Sequence, residues 1–106
     1  MPNPIHRLPT SATILRTELP NGVVVLAYQK PDVQSVVIDG LLAVGSAYHD
    51  SAMGGLSAFV AELLTRGTQQ RSFEAFHTTL ENIGADLSVD GGRYRTDISG
   101  RALAED

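Results

Sequence analysis

The spacing of apolar residues changes twice along this chain, and those two changes bound what it can fold into. Up to Tyr48 the apolar residues form runs and alternations suited to strands. Beyond "HDSAMGG", Leu56, Phe59, Val60, Leu63 and Leu64 recur at the i, i+3, i+4, i+7, i+8 spacing of a helical stripe, which is expected to face the core. A second helix opens at Ser72, a good N-cap residue, buries Phe73, Phe76, Leu80 and Ile83, and stops at Gly84, where a left-handed residue is wanted. After Gly84 the strand pattern returns.

The strand segments are individually legible. "TILRTEL" and "VVVLAYQ" flank "PNG", where Asn21 and Gly22 are expected to supply the positive φ values of a tight hairpin. "SVVIDGLLAVGSAY" is β-branched and apolar enough to predict a long central strand buried on both faces, with Gly40 marking a bulge. "ADLSVD" and "YRTDISGRAL" form two more strands joined through Gly91 and Gly92. These two glycines precede a strand and not a helix, so they read as turn residues and not as a phosphate loop. The first helix is expected to end near Gly67.

This order predicts an α+β fold, an antiparallel-rich sheet with helices on one face. The domain spans 13–106, preceded by an arm at 1–12 in which Pro2, Pro4 and Pro9 oppose helix and central strand. "GRALAED" runs from a strand to the last residue, so the expectation is a partial domain whose sheet is completed by residues beyond Asp106.

Composition removes several function classes. Eight basic residues against twelve acidic ones, with a formal net charge of -4 and no basic cluster longer than a pair, argue against nucleic acid. The chain has no cysteine, so any metal site must be built from His and carboxylates. No apolar stretch reaches the roughly 18 residues of a membrane span, and the N-terminus lacks an apolar signal region. The sequence therefore predicts a soluble, cytoplasmic protein without membrane insertion.

On the first helix, the face beside the apolar stripe holds Ala58, Ala61, Glu62 and Thr65. Its small side chains suit a chamber wall or close packing better than a solvated exterior. The segment "GLSAFVAELLTRGT" resembles the motif helix of the insulinase/pitrilysin (inverzincin) zinc metallopeptidases, G-L-A-H-F-L-E-H-M-L-F-x-G-T, with Gly55, Leu56, Phe59, Leu64, Gly67 and Thr68 coinciding. The similarity extends from "LPNGVVVLAYQ" through "VGSAYHD" to "TRGTQQRSFEAFHTTLENIGADLSVDGGR". It implies the first half of a metallopeptidase-like domain, a unit roughly twice this length that pairs with a second such domain around a peptide.

In active members of that family, two histidines one turn apart hold zinc, and the glutamate before the second His is the general base. Those roles fall on Ala58, Ala61 and Glu62. Two of these side chains are methyl groups, and a lone Glu62 cannot assemble the three protein ligands of a catalytic zinc. The family's third ligand, a downstream Glu, would lie beyond Asp106. Where active members carry Asn-Ala in the strand after the second helix, this chain has Leu87 and Ser88, and with Arg93 the segment looks more like the α-type subunit of mitochondrial processing peptidase and the related core subunit of the bc complex.

The resemblance thus implies a non-catalytic subunit or fragment, with no catalytic or metal residues and no cofactor of its own. It would help bind peptide, through unassigned residues, beside a homologous partner that carries zinc. Two alternatives are a zinc metalloendopeptidase acting through ligands outside this segment and a purely structural core-type subunit.

Other polar groups are read as structural. Glu74, His77 and Glu81 are expected to pair on the surface of the second helix, since bridged metal sites need copies on facing helices. Asp50 or Ser51 next to His49 is expected to cap the first helix, and His6 suggests nothing. No Ser stands in an activating context recognisable from sequence.

Overall fold

The computed structural model describes residues 8–106. Pro2, Pro4 and His6 of the expected arm lie outside the described residues. The chain divides into two compact units, with the boundary in sequence between Val33 and Gln34.

The first unit holds a hairpin of β1 (Leu15–Glu18) and β2 (Val24–Ala27), antiparallel with Leu15 opposite Ala27. The turn differs from expectation, because only Gly22 takes a positive φ, 85°, and Asn21 does not. Pro20 and Asn21 fill the centre of a turn closed by the Gly22 amide on the Leu19 carbonyl (2.9 Å). Gly22 adds the left-handed residue that lets the Leu19 amide reach the Val23 carbonyl (2.8 Å). The Asn21 carboxamide oxygen accepts from the Val23 amide (3.2 Å), so its side chain stabilises the turn without a strained backbone.

The second unit contains β3 (Ser35–Leu42), α1 (Leu56–Leu64), α2 (Phe73–Asn82), β4 (Asp86–Gly91) and β5 (Thr96–Leu103), with short 3-10 turns at Ser46–Tyr48 and Ser51–Met53. Its sheet has the order β3-β5-β4, and both pairings are antiparallel. The α+β class is as expected, whereas the place of β3 is not: the centre is β5 and β3 lies at an edge. The β3–β5 register runs unbroken from Ser35 opposite Leu103 to Leu42 opposite Thr96, so Gly40 is a regular position opposite Ile98 and not a bulge. Nor is β3 buried on both faces, for Ile38 is 67% exposed. An apolar run marks a strand that gains from cover; it does not by itself specify what covers it.

The helices begin and end as local chemistry requires. Ser72 caps α2, its hydroxyl accepting from the Ala75 amide (3.2 Å). At the other end Gly84 is left-handed (φ 60°), its amide bonds the Glu81 carbonyl and the Ala85 amide bonds the Leu80 carbonyl, the paired bonds of a Schellman motif. Phe76, Leu80 and Ile83 are half-buried, while Phe73 is exposed. Helix α1 stops at Leu64, short of Gly67.

The apolar stripe of α1 is not the face that packs. Leu56, Phe59, Val60, Leu63 and Leu64 are all exposed, Phe59 by 62%, and the buried residue is Ala61, at 4%. The helix rests on β4, and the approach is set by Gly91. A Cβ added there would lie 2.5 Å from the Ser57 carbonyl oxygen and 3.2 Å from the Ala61 Cβ. Thr96, opposite both Leu42 and Gly91 in the sheet, is the other buried side chain among the described residues (7% exposed) and donates its hydroxyl to the Val44 carbonyl (3.1 Å).

These contacts rank two substitutions. Ser72→Ala removes one cap bond and is expected to cost about 1 kcal/mol. Gly91→Ala places a methyl group against backbone that cannot rotate away, so it should cost more, about 1–3 kcal/mol. Urea denaturation of the intact protein checks the order, and a Gly91→Ala variant as stable as the parent would contradict the close approach.

Candidate functional site

The residues at the three motif positions diverge in the folded chain. Ala58 is exposed, Ala61 is pressed against β4, and Glu62 is exposed at the helix surface. The Glu62 carboxylate is held by Arg66, one turn on, and the Arg66 guanidinium also lies over the Phe73 ring (5.1 Å to its centroid). Glu62 thus belongs to a link between the end of α1 and the start of α2. The expected small-residue face is real only in part: Ala61 serves close packing and Ala58 does not.

These residues do not fit zinc. A methyl group has no lone pair, the one carboxylate is already matched to a guanidinium, and a catalytic zinc needs three protein donors. Among the described residues no group of three His, Asp or Glu side chains stands together as a potential ion site. His77 is engaged by other groups. Its Nε2 donates to the Thr65 carbonyl (3.0 Å) and its ring packs at a tilt against Phe73 (centroids 4.4 Å), so it ties α2 to the end of α1. The surface pairing expected with Glu74 and Glu81 is not among the ion pairs of the described residues. A ring flanked by phenyl groups with a carbonyl in reach has a better partner than a solvated carboxylate.

Asp50 does cap, but it caps the short turn Ser51–Met53 and not α1, accepting from the Ala52 amide (3.0 Å) and the Ser51 hydroxyl (3.3 Å). Helix α1 starts instead from a left-handed Gly55 (φ 88°) with no side-chain cap. This arrangement turns His49 back toward the helix. Its Nε2 lies 3.3 Å from the Ser57 hydroxyl and its Nδ1 3.2 Å from the Asp50 carbonyl. Both residues line an open pocket of about 260 Å³ with Val44, Tyr48, Leu56, Val60 and Thr96.

The pocket is framed by the β4–β5 hairpin. The Ser46 and Ala47 amides bond the Gly92 and Arg93 carbonyls (3.1 and 2.8 Å), and Gly45 is buried so close to Arg93 that a Cβ would lie 2.5 Å from its carbonyl oxygen. Sequence reasoning missed the His49–Ser57 pair because it depends on how the intervening loop folds. The signal present was a His before, and a Ser at, the start of a predicted helix.

Comparison with known proteins agrees with the motif. The family model for insulinase, peptidase family M16, matches residues 23–105. An uncharacterized zinc protease of Rickettsia felis is 33% identical over 89 residues, covering 84% of this chain and 22% of the relative. The β-subunit of mitochondrial-processing peptidase from Saccharomyces cerevisiae is 29% identical over 90 residues, covering 85% of this chain and 20% of the relative. The chain therefore spans about a fifth of the length of these relatives. With a match across most of its residues and the motif helix in the expected place, this chain belongs to the insulinase family of peptidases.

Proposed function

We propose that the chain is part of a catalytically silent insulinase-family subunit, which helps to hold peptide beside a homologous partner carrying the intact zinc motif. The observation behind this reading is the state of the motif positions: methyl groups at Ala58 and Ala61, the latter buried under β4, and a Glu62 engaged by Arg66. The resemblance of Leu87, Ser88 and Arg93 to the α-type processing subunit adds to it. The processing-peptidase relatives matched are β-subunits, a name that places them in multi-subunit enzymes. A cytoplasmic site of action belongs to the same proposal; among the described residues no helix is long and apolar enough to cross a membrane.

A second reading draws on the relatives named zinc protease: peptidase activity of the protein alone, through ligands outside this segment. The two readings differ in metal content. Full-length protein purified alone and dialysed should carry far less than one zinc per chain by elemental analysis. Stoichiometric, chelator-resistant zinc would favour the second reading.

They also differ in where activity resides. Co-expressed with a motif-bearing homologue from the same genome, the protein should elute with it on size exclusion, and peptide hydrolysis should need both chains. Separate elution, with the homologue fully active alone, would remove the subunit role.

A further inference from the structure

We infer that Ser57 is an acyl-accepting nucleophile activated by His49, and that the adjoining pocket takes the short apolar acyl group of an activated ester. The inference uses none of the three zinc-motif positions, Ala58, Ala61 and Glu62; the silence proposed above concerns zinc-dependent peptide cleavage, and the ester chemistry of Ser57 is separate from it.

The hydrogen bonds set the chemistry. A carbonyl oxygen can only accept, so the contact of His49 Nδ1 with the Asp50 carbonyl (3.2 Å) places the proton of the neutral ring on Nδ1. Nε2 is then a lone pair, and the Ser57 hydroxyl, 3.3 Å away, donates to it. This is a nucleophile, a base, and a third group that fixes the tautomer of the base. The separation is slightly beyond the ~2.6–3.2 Å of a tight pair, as is common before substrate binds.

Two features separate the pair from a chance contact of surface side chains. Both members are half-buried, and both are held against the same hairpin: His49 follows the turn anchored on Gly92 and Arg93, while the Ser57 backbone abuts Gly91. Ser57 also lies in the first turn of α1, ahead of the first intrahelical bond, from the Phe59 amide to the Gly55 carbonyl. Amides in the first turn of a helix have no carbonyl a turn earlier to bond, and their partial positive charge favours the oxyanion that forms on the ester's carbonyl oxygen when it is attacked by Ser57.

The pocket supplies the substrate class. Its volume of about 260 Å³ falls just under the range of drug-sized ligand sites, and Val44, Tyr48, Leu56 and Val60 make its walls largely apolar. A short acyl chain fits this description. In the reaction the Ser57 oxygen attacks the ester carbonyl carbon as its proton passes to His49 Nε2. The carbon–oxygen bond to the leaving group breaks, the leaving oxygen takes that proton, and the acyl group remains on Ser57. Water then attacks the acyl-serine, giving its proton through His49 to the Ser57 oxygen and releasing the carboxylic acid.

The test uses full-length protein with two probes, a fluorophosphonate and p-nitrophenyl butyrate. Peptide mass mapping should place one phosphonyl group on Ser57, with fluoride released, and the ester should give a burst of p-nitrophenolate approaching one per chain. Ser57→Ala should abolish both signals. His49→Gln retains a hydrogen-bond acceptor for the hydroxyl but no base of comparable strength, and should slow labelling at least about 100-fold while circular dichroism stays that of the parent. An unlabelled parent protein, a label on another residue, or a His49→Gln variant that labels at the parent rate would each overturn the inference.

Discussion

The close approach of α1 to β4 at Gly91 fixes most of what matters in the second unit. No side chain stands between the strand and the helix at that point, so the Ser57 carbonyl and the Ala61 methyl lie within van der Waals reach of backbone. Contact this tight is possible only where both elements offer small residues, and it determines how α1 is rotated about its axis. Everything placed by that rotation follows: Ala61 goes inward, Glu62 outward to Arg66, and Ser57 to the rim of the pocket.

The same rotation sends the residues at the three motif positions to different surroundings. Positions 58, 61 and 62 share one side of a helix, yet one is exposed, one is under the sheet and one is tied into an ion pair. A metal site needs donors that converge on one point, and these three side chains do not converge. Polar residues elsewhere have instead been drawn into structural bonds. His77 donates to a backbone carbonyl and packs on phenyl rings, and Asp50 caps a turn.

The large apolar side chains pose a different physical question. The α1 stripe, β3 and the hairpin strands keep Phe59, Leu63, Ile38, Leu15 and Leu26 well exposed. Their periodicity identifies faces that would gain free energy from leaving water, about 25 cal/mol for each Å² of apolar surface covered. That gain is a property of the face alone. A chain spanning a fifth of its relatives' length presents such faces without presenting what meets them.

The sequence by itself determined the local features: the order of elements, the hairpin at Pro20–Gly22, the Ser72 cap, the Gly84 stop, and the family resemblance carried by residues 54–68. Each depends on residues a few positions apart, whose backbone preferences and hydrogen-bond partners are written in the chain. Tertiary structure decided the rest. That β5 and not β3 is central, that Ala61 and not the apolar stripe is buried, and that His49 reaches Ser57 all depend on which distant groups share space. Periodicity specifies that a helix has two kinds of face; only the steric room over Gly91 selects which one meets the sheet.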